Sequence, residues 1–171
     1  MDRISQTILK DCINLKSNES CLIITDSHLK PIGNSLYKNS LKITNKSELI
    51  LTTIPKTHGT EPPKYISNEM LNYDVVLMPT TMSLSHTKAR KNASLKGARI
   101  ASMPGITIDM MKRALDINFN KLKIINEKLI KKLKIKKKIK ITTKMGSDVE
   151  FYTKGRKWIC DDGIYTKKGA F

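Results

Sequence analysis

The sequence predicts an α/β fold, in which a parallel-sheet, Rossmann-like domain with crossover helices precedes the antiparallel β start of a truncated second domain. Two observations predict it. Helical and strand patterns alternate over residues 1–136, as in parallel sheets whose strands are joined by crossover helices. From residue 139 onward apolar and polar residues alternate singly, which is typical of antiparallel strands. We therefore expect an amino-terminal α/β domain at 1–136 and the first β-hairpins of an incomplete second domain at 137–171.

The elements expected before residue 74 follow from hydrophobic periodicity. An apolar stripe at helical spacing predicts an amphipathic helix over residues 2–15. The uninterrupted apolar run at 21–25 predicts a buried strand, which a short helix follows. A second strand is expected at 48–54, and the prolines and glycine of 55–64 exclude regular structure there. A further short helix completes this part.

The next elements surround the most informative stretch of the chain, residues 79–105. A strand is expected at 74–78 because three consecutive apolar residues indicate burial on both faces of a parallel sheet. Ser85 is a good N-cap and Gly97 a plausible C′ stop, so a helix is expected between them. A strand at 99–103 and a long helix at 107–133 follow.

Polar side chains concentrate in the loop between the third strand and its helix. This loop joins the carboxyl end of a strand to the amino end of a helix, where open α/β sheets place ligands. Free N–H groups there favour an anion, and Arg90 can add a charged fork. The alternative is a capping loop rich in hydroxyls, with a solvated His86. The candidate site residues are Thr80, Thr81, Ser85, His86 and Arg90.

The last part of the chain reads as hairpins. Residues 139–157 alternate around a turn at 145–148, which predicts the first hairpin. A second hairpin is expected from Trp158, with the turn at 161–163. Two hairpins alone bury too little surface to stand as a domain, so the second domain is expected to be cut short.

Composition narrows the classes of function. The net charge of +17 invites a nucleic-acid partner, but only five of the 32 basic residues are arginine, the residue that bidentate phosphate or base recognition favours. The abundance of Lys, Asn and Ile fits an A-rich coding sequence at least as well, so we expect no nucleic-acid partner. No apolar run approaches the ~18 residues that span a membrane, and the amino terminus lacks a signal peptide, which predicts a cytoplasmic protein without a membrane partner.

Motifs with a known catalytic mechanism are mostly missing. The sequence contains no GxxxxGK[ST], GxGxxG, GxSxG or HExxH, and its three cysteines have no CxxC spacing. His28, His58 and His86 each lie just past a predicted strand. They can either converge at the carboxyl edge of the sheet or remain three solvated loop histidines. We therefore assign no catalytic and no metal-binding residue.

Several segments nevertheless resemble a known family. The segments HGTEPP, DVVLMPTTMSLSHTKAR and KGARIASMPGIT, which begin at His58, Asp74 and Lys96, are similar to the amino-terminal domain of the aminopeptidase-T-like leucyl aminopeptidases, the thermophilic metalloprotease family. The segment TTKMGSDVEFYTKGRKWICDDGIYTKKGAF is similar to that family's GTD-containing hairpin and the turn after it, with Ser147 where threonine is usual. The resemblance runs from about residue 58 to the end, and its motifs occur in the family's order.

The resemblance implies a cytosolic two-domain exopeptidase, usually a homodimer, that removes amino-terminal residues from peptides with two divalent metals, zinc or cobalt. Its metal ligands lie in the second domain, and the first glutamate belongs to a GNLPAGE segment directly after the position of Phe171. No residue of this chain matches a ligand, so the chain alone is expected to bind no metal and to be inactive. Residues 137–171 then begin the catalytic domain.

The resemblance also gives the polar loop two alternative roles. It can bind a substrate carboxylate or carbonyl through Arg90 and the helix N–H groups, or it can hold the domain interface, which we favour slightly. The function expected is that of a metallo-aminopeptidase fragment without its metal-ligand part. The alternatives are a non-enzymatic basic α/β module that binds nucleic acid, and a regulatory relic that pairs with a full-length enzyme.

Overall fold

Four strands of the computed structural model, which describes residues 1–171, form one parallel sheet in the order β2-β1-β3-β4. They are β1 (Cys21–Thr25), β2 (Ser47–Leu51), β3 (Val75–Met78) and β4 (Arg99–Ser102). The predicted α/β class is confirmed. Because β2 and β4 lie on opposite sides of the β1–β3 pair, the strand order reverses between β1 and β3.

Helices connect these strands. They are α1 (Asp2–Thr7), which continues as a π-helical stretch at Ile8–Cys12, then α2 (Lys30–Ser40), α3 (Lys64–Glu69), α4 (Lys88–Lys96) and α5 (Ile108–Ala114). As predicted, α4 ends at Gly97, whose φ of 111° is the left-handed conformation that favours glycine. No helix in the structure combines the length and the apolar character that a membrane span requires.

Hydrophobic side chains pack against both faces of the sheet. All residues of β1 and β3 are buried, in agreement with the consecutive apolar residues that predicted these strands. On one face Ile23 and Leu77 pack with residues of α1, α2 and α5. On the other face Leu22 and Val76 pack with residues of α3 and α4. The alternation of side chains along a strand thus requires apolar residues at every position of a central strand.

By their contacts the residues divide into a first unit, Met1–Ile117 with Ile164–Phe171, and a second unit, Asn118–Gly163. The second unit contains α6 (Phe119–Lys134) and an antiparallel hairpin of β5 (Lys138–Thr142) and β6 (Asp148–Tyr152), so the first predicted hairpin is confirmed. These bounds differ from the predicted domains, 1–136 and 137–171. The predicted domain division therefore stays a prediction.

Two expected elements are wrong. The helix expected at 107–133 is interrupted between α5 and α6, where the side chain of Asn118 accepts a hydrogen bond of 2.9 Å from the N–H of Lys121 and caps the second helix. The hairpin expected from Trp158 does not form, and residues 158–171 contain no strand. Instead the Ala170 carbonyl accepts a hydrogen bond of 2.9 Å from the N–H of Ile100, so the end of the chain satisfies a backbone group of the edge strand β4.

An ion pair joins the amino edge of the sheet to the loop that connects the first helical segment to β1. Arg99 begins β4, its side chain is 8% exposed, and its two terminal nitrogens donate to both carboxylate oxygens of Glu19 at 2.8 and 2.7 Å. Its Nε donates to the carbonyl of Ile13 at 3.1 Å. The hydrogen bond from Arg99 holds the pKa of the Glu19 carboxyl below its usual value. The charged form of Glu19 therefore stabilises the fold.

We expect Glu19→Gln to lower the free energy of unfolding by about 2 kcal/mol at pH 7, because the buried Arg99 loses its bidentate partner. A carboxyl whose folded pKa is depressed contributes stability above its unfolded pKa of about 4.3 and loses that stability as the pH falls through the folded pKa. The difference between wild type and variant should therefore shrink toward pH 3. Urea unfolding at pH 7 and pH 3 measures both values.

The matched control for this prediction is Asp109→Asn. Asp109 and Arg113 form an ion pair on the surface of α5, with side chains 72% and 70% exposed, so its loss should cost less than about 0.5 kcal/mol. If Glu19→Gln and the control destabilise the protein equally at pH 7, the structural role of the Arg99–Glu19 pair is wrong.

Candidate functional site

The candidate site lies at the carboxyl edge of the sheet, where the strand order reverses. In open α/β sheets ligands bind at the carboxyl ends of the two strands that flank such a reversal. Here those strands are β1, which Asp26 follows, and β3, which Thr80 and Thr81 follow. Polar groups at this position can either bind a ligand or form hydrogen bonds with one another.

The carboxylate of Asp26 closes the gap between the two strand ends. Asp26 is fully buried. Its oxygens accept hydrogen bonds from both the N–H and, at 3.0 Å, the hydroxyl of Thr81. They also accept from the N–H groups of His28 at 3.1 Å and Leu29 at 3.2 Å. The ends of β1 and β3 are therefore tied together by a side chain of the protein itself.

A second carboxylate, that of Glu61, occupies the amino end of α4. It accepts hydrogen bonds from the N–H of Lys88 and, at 3.1 Å, from that of Ala89. The N-cap is Thr87, whose hydroxyl accepts from the N–H of Arg90 at 3.2 Å, and not Ser85 as predicted. Carboxylates are the groups that a helix N-terminus favours. The expectation of free N–H groups for an external anion is thus wrong at Lys88 and Ala89.

Further hydrogen bonds connect the loops that follow β2, β3 and β4. The N–H of Ser83 donates to Nδ1 of His58 at 2.9 Å, and its carbonyl accepts from the N–H of Gly59 at 2.8 Å. The N–H of Gly105 donates to the carbonyl of Thr80 at 2.9 Å. We call residues 58–61, 80–90 and 102–105, together with Asp26, the loop cluster. Its backbone groups are bonded across loops that lie far apart in the sequence.

The structure brings four of the five predicted site residues into this network. Thr80 is buried and its hydroxyl donates to the carbonyl of Met82 at 2.8 Å, while Thr81 is bonded to Asp26. The hydroxyl of Ser85 donates to that of Ser102 at 2.9 Å.

Arg90 and His86 differ in their surroundings. Nε of Arg90 donates to the carbonyl of Ser85 at 2.7 Å, and the guanidinium lies 4.0 Å from the centre of the Phe171 ring. Partial burial lowers the pKa of Arg90 below its usual value, although an arginine remains charged at neutral pH. His86 is exposed. Arg90 is thus engaged within the protein, which agrees with the capping alternative more than with an open anion fork.

Sequence reasoning missed the two residues that organise the cluster, Asp26 and Glu61. A signal existed for each. Asp26 is an acid directly after a buried strand, and Glu61 lies in a proline-rich loop next to His58. Neither signal identifies the partner in another loop, because the N–H groups of Thr81 and Lys88 lie 55 and 27 residues away in the chain.

A small cavity of about 270 Å³ lies beside the loop cluster. Its lining combines threonines, prolines and two apolar side chains, among them Thr52, Thr53, Thr60, Thr80, Met82 and Leu84. Glu61 also borders it, with its oxygens bonded to α4. At this size the cavity accommodates a group such as one amino-acid side chain, smaller than a drug-sized ligand. Its chemistry suits an apolar or hydroxyl-bearing group and offers no catalytic constellation.

The zinc or cobalt that the resemblance implies does not fit the residues of this chain. No three or more His, Cys, Asp or Glu side chains lie close enough to hold a metal ion together. Nδ1 of His58 is already an acceptor for Ser83, and His86 is exposed on its own loop. Burial raises the pKa of the free thiols of Cys12 and Cys21 to about 12, so they remain protonated. We therefore assign no metal ligand.

The sequence matches no protein-family model and no curated protein. Among solved structures the fold is similar to that of 2,5-dihydroxypyridine dioxygenase from Pseudomonas putida KT2440, with a TM-score of 0.67 and 16% sequence identity. The likeness covers 99% of this chain and 51% of that one, so this chain spans about half the length of its structural neighbour. At this identity the likeness establishes the α/β fold alone.

We expect Glu61→Ala to lower the free energy of unfolding by about 1–2 kcal/mol, because α4 loses an acceptor at its amino end. The freed N–H groups of Lys88 and Ala89 should then accept an external anion. Sodium sulfate should therefore raise the melting temperature of the variant more than that of the wild type. Thermal unfolding followed by circular dichroism over a sulfate titration measures the difference.

The control for this prediction is Glu127→Ala, which removes an exposed carboxylate from the middle of α6. It should respond to sulfate as the wild type does, since sulfate stabilises folded proteins in general. An equal sulfate response in Glu61→Ala and the wild type would contradict the assignment of Glu61 as the internal anion.

Proposed function

We propose that this chain is the amino-terminal part of a metal-dependent aminopeptidase of the aminopeptidase-T-like class, without the metal-ligand part. One observation carries the proposal. The three segments that resemble this class, beginning at His58, Asp74 and Lys96, are separate in the sequence but supply the hydrogen-bonded loops of the loop cluster. Contacts among all three segments support their origin as one unit, since independent chance matches have no reason to meet.

In this proposal the loop cluster serves as a scaffold at the domain interface. Several of its backbone donors and the carboxylates of Asp26 and Glu61 are used within the chain, and Arg90 is held by Ser85 and Phe171. These contacts favour the interface role over the binding of a substrate carboxylate. The small cavity lined by Thr52 and Met82 is the remaining place for a substrate side chain.

The chemistry of peptide hydrolysis belongs to residues outside this chain. Two divalent metals, zinc or cobalt, supply an activated water and polarise the scissile carbonyl when bound in enzymes of this class. The structural neighbour is about twice as long as this chain, which is compatible with a two-part protein. A peptide substrate, a homodimer and a cytoplasmic location of the whole protein are parts of the same proposal.

The native protein tests this proposal. Mass spectrometry of the polypeptide that contains these residues gives its length, and hydrolysis of leucine p-nitroanilide gives its activity. We expect a chain longer than 171 residues whose activity is lost with EDTA and restored by zinc or cobalt. A longer chain without activity on a panel of amino-acid p-nitroanilides would refute the proposal. So would a native chain that ends at Phe171, including one that co-purifies with a full-length enzyme.

Arg90→Gln in the active protein separates the two roles of the loop. An interface role predicts a lower melting temperature with an unchanged KM for the peptide substrate. Substrate binding by Arg90 predicts a raised KM at an unchanged melting temperature, and this result would overturn the interface role.

A further inference from the structure

The second unit contains a basic groove that the proposed function does not use. The groove has a volume of about 620 Å³ and lies between the segment that follows α6 and the turn that follows β6. Its charged lining residues are Lys134, Lys136, Lys137, Lys154, Arg156 and Lys157, and the indole of Trp158 completes it. All six cations are exposed, and Trp158 is half-buried. We call this set the basic groove.

Backbone hydrogen bonds fix the shape of the basic groove. Thr153 is 6% exposed, and its N–H donates to the carbonyl of Lys137 at 2.9 Å. Its hydroxyl donates to the carbonyl of Lys136 at 2.6 Å, and its own carbonyl accepts from the N–H of Arg156 at 3.0 Å. Both basic segments are thus held side by side at one buried threonine. The six cations therefore line one groove, although they belong to two separate segments of the chain.

Charge is concentrated in this part of the chain. Between Asn118 and Gly163 the sequence has 14 basic against 5 acidic side chains, a net charge of +9. Two of these acids, Asp148 and Glu150, pair with Lys140 and Lys138 on the hairpin strands, at 3.1 and 2.7 Å. These two ion pairs use strand lysines and none of the six groove cations. The excess of basic over acidic side chains gives this part of the chain a positive potential.

The composition of the whole chain led us to expect no nucleic-acid partner, but from the local geometry we propose that the basic groove binds single-stranded nucleic acid, with phosphates on its lysines and a base stacked on Trp158. A positively charged groove that also exposes an aromatic face is the combination that single strands use, since every base has a face for stacking. Gly155, at a φ of 75°, adds no side chain to the turn, so a nucleic-acid strand can approach its backbone closely.

The composition of the groove indicates binding without sequence preference. Arg156 is its single arginine, whereas base recognition relies on bidentate arginines and amides. The groove is concave and contains an aromatic ring. It is therefore better suited to bind a flexible nucleic-acid strand than to bind a flat membrane surface. None of these residues belongs to the loop cluster, so the inference does not depend on the interface role proposed for that cluster.

Fluorescence provides a direct test, because Trp158 is the only tryptophan. The 171-residue chain is titrated with 20-nucleotide poly-dT and mixed-sequence RNA while indole emission and the anisotropy of a labelled strand are recorded. We expect the emission to be quenched with the same midpoint as the anisotropy change. The affinity should fall linearly with the logarithm of the salt concentration.

Variants with equal net charge localise the site. We expect Lys154→Gln/Arg156→Gln/Lys157→Gln to weaken binding at least tenfold and to reduce the salt slope by about 2, at about 0.7 per phosphate contact. The matched triple Lys10→Gln/Lys38→Gln/Lys91→Gln, at exposed lysines of the first unit, should weaken it less than threefold. Trp158→Ala should weaken it about tenfold.

Three results would overturn the inference. They are equal losses in both charge variants, binding without a change in Trp158 emission, and preferential binding of duplex DNA or anionic phosphatidylserine vesicles. Circular dichroism establishes that each variant is folded. If Trp158→Ala does not fold, Trp158→Phe replaces it and is expected to retain most of the affinity, since phenylalanine preserves the stacking face.

Discussion

The hydrogen bonds that Asp26 and Glu61 accept from backbone N–H groups hold the carboxyl edge of the sheet together. A strand that ends in a loop and a helix that begins there both leave N–H groups without partners, and these must be satisfied when water is excluded. A carboxylate accepts several such bonds, and each is stronger than a bond between neutral groups. Asp26 can therefore be fully buried, and the positions of the surrounding loops depend on it.

This arrangement bears on what the site can do. In an α/β fold, a phosphate or a substrate carboxylate usually binds at the amino terminus of a helix, next to the point where the strand order reverses. Here Glu61 fills the first position and the bond between Asp26 and Thr81 fills the second. The loop cluster is better suited to hold a fixed surface than to bind an anion. A scaffold of this kind agrees with a chain whose proposed chemistry lies in another part of the protein.

Much of the fold could be predicted because its signals are local. Consecutive apolar residues identified the central strands, and Gly97 identified the end of α4. The candidate site could be located but not understood from sequence, because its decisive bonds join residues far apart in the chain. Thr87 and Ser85 are both good caps, but in the structure the Thr87 hydroxyl accepts from the N–H of Arg90, whereas the Ser85 hydroxyl donates to Ser102, 17 residues away. The end of the chain escaped prediction for the same reason, since the carbonyl of Ala170 accepts from the N–H of Ile100 in β4, 70 residues earlier in the chain.

Amide hydrogen exchange at Thr81, Lys88 and Ala89 tests the central claim most directly. These residues lie in a loop or in the first turn of a helix, where amides usually exchange fast. Bonds to Asp26 and Glu61 should slow their exchange at least about 100-fold relative to an unstructured peptide. In Glu61→Ala the protection should be lost at Lys88 and Ala89 and kept at Thr81. Exchange of all three amides at the unstructured rate in the wild-type protein would contradict an internally closed site.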